Sequence, residues 1–275
     1  MSKVIRLRPV VLCGIVLLLS SCSQVALTGR KQLNLVPASV MHSLSFQSYS
    51  EFPSQNKMSS NIQQIQMVKR VGSRVQKAVE QYCAENNLSD QLQGYKWEFN
   101  LAEDPSVNAW CMPGGKVVVY TGLLPLAKDE AGLAVVMGHE IAHAIAKHGA
   151  ERMTHDLIVE FGGMALSEAL AKKPEQTRNL FMKSYGIGTQ YGVLLPYSRV
   201  HENEADRMGL TFMAMAGYDP HEAISFWERM SAANKNASSP PEILSTHPAD
   251  ATRIRNIKSL IPEAMQHYQA AQTIR

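Results

Sequence analysis

Residues 131–153, A-G-L-A-V-V-M-G-H-E-I-A-H-A-I-A-K-H-G-A-E-R-M, restrict what this chain can become more than any other stretch. Leu133, Val136, Met137, Ile141, Ala144 and Ile145 recur at helical spacing and predict a helix buried in a core. Polar side chains carried into a core must find partners there. His139 and His143 stand one turn apart on the same helix face, where two imidazoles can grip one metal ion. Glu140 lies about 100° further round, too far to join that pair but within reach of a water beside the metal. Satisfied core histidines are the plainer account of the pair. A metal satisfies all three groups at once, and this set is what activates water for hydrolysis.

A catalytic zinc held by two histidines needs a third protein ligand. Ser198-Arg199-Val200-His201-Glu202-Asn203-Glu204-Ala205-Asp206 offers it, because Glu202 and Asp206 are four apart on a predicted helix. One of them can bind the metal while the other hydrogen-bonds a ligating histidine; Glu204 points elsewhere. A carboxylate-rich helix is ordinarily a solvated face, and the need for a ligand is what argues otherwise here.

The N-terminus carries a different message. Lys3, Arg6 and Arg8 precede an apolar run over 10–19 and then Leu19-Ser20-Ser21-Cys22, the layout of a secretory signal cleaved before a cysteine. The run is too short to span a bilayer permanently, and no later stretch reaches 18 consecutive apolar residues. The segment resembles a bacterial lipobox, which implies cleavage after residue 21 and lipid on Cys22. The net charge of +3 belongs to that signal, since the 27 basic residues lose three with it and the 24 acidic residues lose none. Nothing basic remains to argue for a nucleic-acid partner. With Cys13 removed and Cys22 lipidated, Cys83 and Cys111 are left in an oxidising compartment, where a disulfide between them competes with two buried thiols.

Taken in order, 22–36 reads as an extended tether with little to bury, followed by one domain over 37–275. Helices are expected over 37–51 and 59–86, then strands over 95–101, 107–112 and 116–120, the last β-branched. An edge strand of such a sheet can pair with an extended peptide and present it across the metal. Further helices are expected over 156–171, 175–191, 198–216, 220–232, 248–260 and 262–272. Gly186, Gly188 and Gly192 before Pro196, and the polar segment 234–241, read as lids over a cleft. The fold class is therefore α+β, predominantly helical, with a small three-stranded sheet beside the active-site helix.

G-H-E-I-A-H-A-I-A-K-H, P-Y-S-R-V-H-E-N-E-A-D and N-A-W-C-M-P-G-G-K-V-V-V-Y-T-G-L-L together resemble the HtpX and CAAX-prenyl-protease family of zinc peptidases, a gluzincin group whose third ligand is a glutamate. T-G-R-K-Q-L and the lipobox are similar to its bacterial lipoprotein branch, which includes LoiP and BepA. The resemblance implies a zincin-like fold, one Zn²⁺ held by His139, His143 and Glu202, Glu140 as general base and Asp206 behind a ligand. It further implies an endopeptidase at the outer membrane, facing the periplasm, that acts on misfolded or unassembled envelope proteins. The sequence departs from HtpX in having no membrane helices and from BepA in having no helical repeats, so neither membrane-embedded substrates nor a large partner-binding array is expected. A chaperone or outer-membrane-protein assembly factor that keeps the zinc fold is the rival, against which Glu140 argues, since a structural metal has no use for a base.

His247, in L-S-T-H-P, reads from its neighbours as a helix-start residue before Pro248. The resemblance places it near the zinc. There it either stabilises the oxyanion or serves as a fourth ligand that keeps the site latent, the second being the expected resting state.

Overall fold

The computed structural model describes residues 22–25, 27–161, 168, 171–185, 187, 198–236, 241–248 and 250–273. The signal segment 1–21 lies outside them, as do Gly186, Gly188, Gly192, Pro196 and residues 237–240 of the two expected lids.

The chain enters as a two-stranded antiparallel hairpin, β1 (Cys22–Gln24) and β2 (Lys31–Leu33). Helices α1 (Ala38–Gln55) and α2 (Ile62–Glu85) follow, then β3 (Glu98–Ala102), β4 (Ala109–Met112) and β5 (Lys116–Tyr120). The remainder is helical: α3 (Glu130–Ile145), α4 (His148–Phe161), α5 (Pro174–Ser184), α6 (Arg199–Met215), α7 (Glu222–Asn236), α8 (Glu242–Thr246) and α9 (Ala251–Thr273). The protein is thus predominantly helical with one small three-stranded sheet, as the periodicity predicts.

That sheet has the order β3-β5-β4, with β3 parallel and β4 antiparallel to β5. Alternation along β4 divides the apolar interior. Ala109 and Cys111 face the core that holds α2, α3 and α6, whereas Trp110 and Met112 face Met41, Phe52, Met153 and Phe181 on the other side. Val117 and Val119 follow the first pair and Val118 the second, so the β-branched run fills both layers from one central strand.

Helix α3 is the centre of the larger core, with every residue from Gly132 to Ile145 buried. Asp129 caps its start by accepting from the Gly132 amide at 3.0 Å, and Ser198 caps α6 in the same way from His201 at 3.2 Å. The two helices approach most closely at Gly138 and Gly209. A Cβ on Gly138 would lie 2.9 Å from the Gly209 carbonyl oxygen, and one on Gly209 would lie 2.9 Å from the His139 amide nitrogen. Only glycine permits that separation.

Three expectations need correction. The segment 22–36 is no loose tether: Val25 and Val36 are buried, and the Leu35 amide donates to Thr154 Oγ1 at 3.0 Å. The metal helix ends at Ile145, where its apolar stripe ends, and Lys147 adopts a left-handed φ of 60° and redirects the chain into α4. Proline marks fewer boundaries than expected, since α1 passes Pro53 and α9 continues through Pro262. Finally, Cys83 and Cys111 are free thiols. Each is sealed in the α2/α3 core, where burial raises its pKa, Cys83 to about 11 and Cys111 further, so both behave as small apolar residues.

Candidate metal centre

α3, α6 and the end of α8 bring His139, His143, Glu202 and His247 together, with one ligand atom of each within 4.8 Å of all the others. All four side chains are buried. His139 Nε2 lies 3.0 Å from His143 Nε2 and 3.1 Å from His247 Nδ1. Glu202 Oε1 is 2.8 Å from His247 Nδ1 and 3.3 Å from His143 Nε2. A tetrahedron with metal–nitrogen bonds of about 2.0–2.1 Å has edges of about 3.3 Å, close to these separations.

The protons show why a cation belongs there. Asp206 Oδ1 is 3.0 Å from His139 Nδ1, so that nitrogen donates and Nε2 carries the lone pair. Glu204 Oε2 is 3.1 Å from His148 Nε2, which therefore carries the proton and leaves His148 Nδ1 to accept from His143 Nδ1 at 2.9 Å. His143 Nε2 is then a lone pair as well. With both rings neutral in these tautomers, two lone pairs face one another at 3.0 Å, an arrangement that a positive ion between them converts from repulsive to binding.

Without a metal the same position draws a proton. Burial and the Arg253 charge press the His139 pKa down, yet Glu202 and Asp206 outweigh them and raise it to about 9, so positive charge is favoured at this point. Burial holds His143 well below its ordinary value, and His148 falls to about 4 for the same reason. Burial would raise Glu202, but His247, Arg253 and His139 carry it well below the usual carboxylate range. At Glu140 burial outweighs the opposing charges of His247, His139 and Arg253 and raises the pKa. Its Oε1 has no hydrogen-bond partner and sits 3.5 Å from His247 Nε2. An orphaned carboxylate oxygen beside a metal-ligand cluster is where a water would be gripped.

Every predicted site residue other than the two cysteines and Cys22 therefore converges on one centre, and Asp206 rather than Glu202 takes the supporting role. Arg253 was not foreseen. Its guanidinium lies over the Trp227 ring at 3.6 Å, binds Asp206 through Nε and Nη2 at 2.9 and 2.7 Å, and reaches Glu202 Oε2 through Nη1 at 2.7 Å. Its only sequence cue was an arginine soon after the T-H-P motif. His148 was also missed, although it follows His143 by five residues, because nothing in the sequence marks the turn at Lys147 that brings it back. Glu204 does point away from the metal donors, but it is buried and anchors His148.

With this geometry in view, the comparisons with known proteins are decisive about kinship. Residues 69–261 match Peptidase family M48. The chain belongs to peptidase family M48. Within that family it is 37% identical over 190 residues to mitochondrial metalloendopeptidase OMA1 of Schizosaccharomyces pombe, a match covering 69% of this chain and 53% of that protein. The OMA1 of Saccharomyces cerevisiae is 33% identical, with 79% and 60% covered. The beta-barrel assembly-enhancing protease of Escherichia coli K12 is 30% identical, with 59% and 34% covered. The chain thus spans about half the length of the OMA1 proteins it matches. The M48 kinship agrees with the zinc-peptidase resemblance in the motifs, while the mitochondrial proteins match at higher identity than the bacterial one.

Proposed function

We propose that this M48 chain is a zinc-dependent endopeptidase, tethered by lipid on Cys22 to the bacterial envelope, probing unfolded or unassembled envelope proteins from the periplasmic side of the outer membrane. The observation that carries the enzymatic part is the approach of His139 Nε2 and His143 Nε2 to 3.0 Å beside the unpartnered Glu140 Oε1. Three imidazoles and a carboxylate are a donor set suited to zinc, with His139, His143 and Glu202 as the ligands. When bound, zinc supplies Lewis-acid polarisation of a peptide carbonyl and lowers the pKa of water.

The remaining work falls to the chain itself. Glu140 takes the proton of the attacking water and returns it to the leaving amine. Asp206 and Arg253 keep His139 in the tautomer that presents Nε2, and His148 does the same for His143. β4, at an edge of the sheet, offers its backbone to an extended substrate. The envelope assignment draws support from the export-signal pattern before Cys22 and from the bacterial relative's name. No helix of the described residues is long and apolar enough to cross a membrane.

His247 is poised as the latch. The Ile243 amide donates to the Val107 carbonyl at 3.1 Å, which docks α8 at the entrance to β4 and delivers His247 into the donor cluster. As a fourth ligand it would take the position that water needs, and the resting enzyme would be latent.

The test is cleavage of casein by wild type, by Glu140→Gln and by wild type with a chelator. We expect Glu140→Gln to lose about a hundredfold or more. Equal cleavage by wild type and Glu140→Gln sinks the enzymatic reading. His247→Ala should raise turnover on the same substrate. A fall of about a hundredfold would instead assign His247 to oxyanion stabilisation.

A further inference from the structure

The hairpin ahead of the domain reaches the metal centre. Its turn is tight: the Val25 amide donates to the Arg30 carbonyl and the Gly29 amide to the Val25 carbonyl, each at 2.9 Å, with Gly29 at a φ of 67° that only glycine adopts without strain. This turn aims two side chains at one buried carboxylate. Thr28 Oγ1 donates to Glu204 Oε1, and Arg30 Nε donates to Glu204 Oε2 at 2.8 Å. The rest of the Arg30 fork is clamped on α4, with Nη1 and Nη2 at 2.9 and 2.7 Å from the two oxygens of Glu151. Both oxygens of Glu204 are thereby fixed, and Oε2 is the atom that receives His148 Nε2–H.

A surface ion pair between a hairpin and a helix ordinarily contributes little beyond docking. Here the pair ends on the carboxylate that sets the His148 tautomer, which in turn sets that of His143. We propose that the N-terminal hairpin is a working part of the metal centre, with Arg30 and Thr28 as positioning residues that keep the His143 proton on Nδ1, so that Nε2 can ligate. The relay has five members: Arg30 and Thr28 orient Glu204, Glu204 fixes the proton on His148 Nε2, and His148 Nδ1 accepts the hydrogen bond from His143 Nδ1–H. Without the hairpin contacts Glu204 can rotate away, both His148 tautomers become populated, and in one of them His143 carries its proton on the ligating nitrogen. This inference rests on His143 being a metal ligand, as argued above.

The experiment compares wild type with Arg30→Ala, Arg30→Lys and Lys31→Ala, the last removing an exposed charge from the same hairpin. Zinc affinity is measured by competition with a chelator, and side-chain ¹⁵N shifts of His143 and His148 are recorded on the metal-free full chain. Arg30→Ala should weaken zinc about tenfold, at the lower end of the range for groups behind a ligand, and move the His143 nitrogen shifts toward a tautomer mixture. Arg30→Lys, which keeps the charge without the fork and leaves the hairpin folded, should fall between. Lys31→Ala should match wild type in both. Wild-type affinity and tautomer in Arg30→Ala, even with a lower melting temperature, would reduce the hairpin to a structural strap and overturn the proposal. A wild type that binds no zinc would instead sink the peptidase reading, whereas the nitrogen shifts would still decide the relay.

Discussion

His139 and His143, the two histidines proposed as ligands, are supported in contrasting ways. His139 leans on Asp206 directly, and Asp206 is held by Arg253, itself seated on Trp227 inside the main core. His143 leans on a second histidine, which leans on Glu204, which is held by residues of an N-terminal hairpin. One support is short and enclosed, contributed by α6 and α9. The other is long, and its last members are partly exposed, with Arg30 and Glu151 at 26% and 23%. A short support built from core helices persists as long as the fold does. A long one ending at the surface can be loosened while the fold stays intact, so the two donors need not respond alike to the same disturbance.

The sharpest way to break this contrast is Asp206→Ala. It strands Arg253 among buried groups and frees the His139 ring, so it should cost about 3–5 kcal/mol of stability and most of the zinc affinity. Chemical denaturation and metal analysis read both. A stable, zinc-replete Asp206→Ala protein would mean that His139 does not depend on the short support. Next in size is His148→Phe, which keeps a ring in the same space and removes the relay. Zinc affinity should drop about tenfold with a stability loss of about 1–3 kcal/mol, less than for Asp206. Should His148→Phe prove the more damaging of the two, the ordering proposed here is wrong.

The smallest expected effect is of pH on the hairpin. Burial alone would raise Glu151, but hydrogen bonds from His201 and Arg30 outweigh it and lower its pKa from 4.5 to about 2. A carboxylate depressed in the folded state stabilises above its unfolded pKa, and that contribution fades as pH falls toward the folded value. The hairpin should therefore stay docked above about pH 4.5 and loosen progressively toward pH 2. The NMR signal of the Gly29 amide, inside the turn, reports it. An unchanged signal down to pH 2 would show that Glu151 does not hold the hairpin.

How much of this could be seen beforehand follows the range of the interactions. The convergence of the histidine pair with Glu140 and Glu202 was readable because helical spacing converts sequence distance directly into geometry. The sheet was readable because Val117, Val118 and Val119 suit one environment only. Arg253 and the hairpin were not, since their partners lie far away in sequence and neither stretch has a periodic pattern. The overlooked break at Lys147 is instructive in a different way. A non-glycine residue in the left-handed region leaves no compositional mark, yet it starts the helix that carries His148 back against His143. Pro262 misled in the opposite direction, since a helix docked on α6 and α7 tolerates a lost hydrogen bond that would end an isolated one.

The contact between Gly138 and Gly209 acts as a gauge block for the whole centre. Each glycine neighbours or faces a donor helix at the level of His139, so any side chain inserted there wedges the bearing surfaces of α3 and α6 apart. Such a wedge moves His139 relative to Glu202 before it disturbs the outside of the protein. The cleft walls, the α8 latch and the hairpin can all drift in sequence while the donors keep their spacing. The thickness of this one joint cannot, and it is where a lineage built on this scaffold has the least room to change.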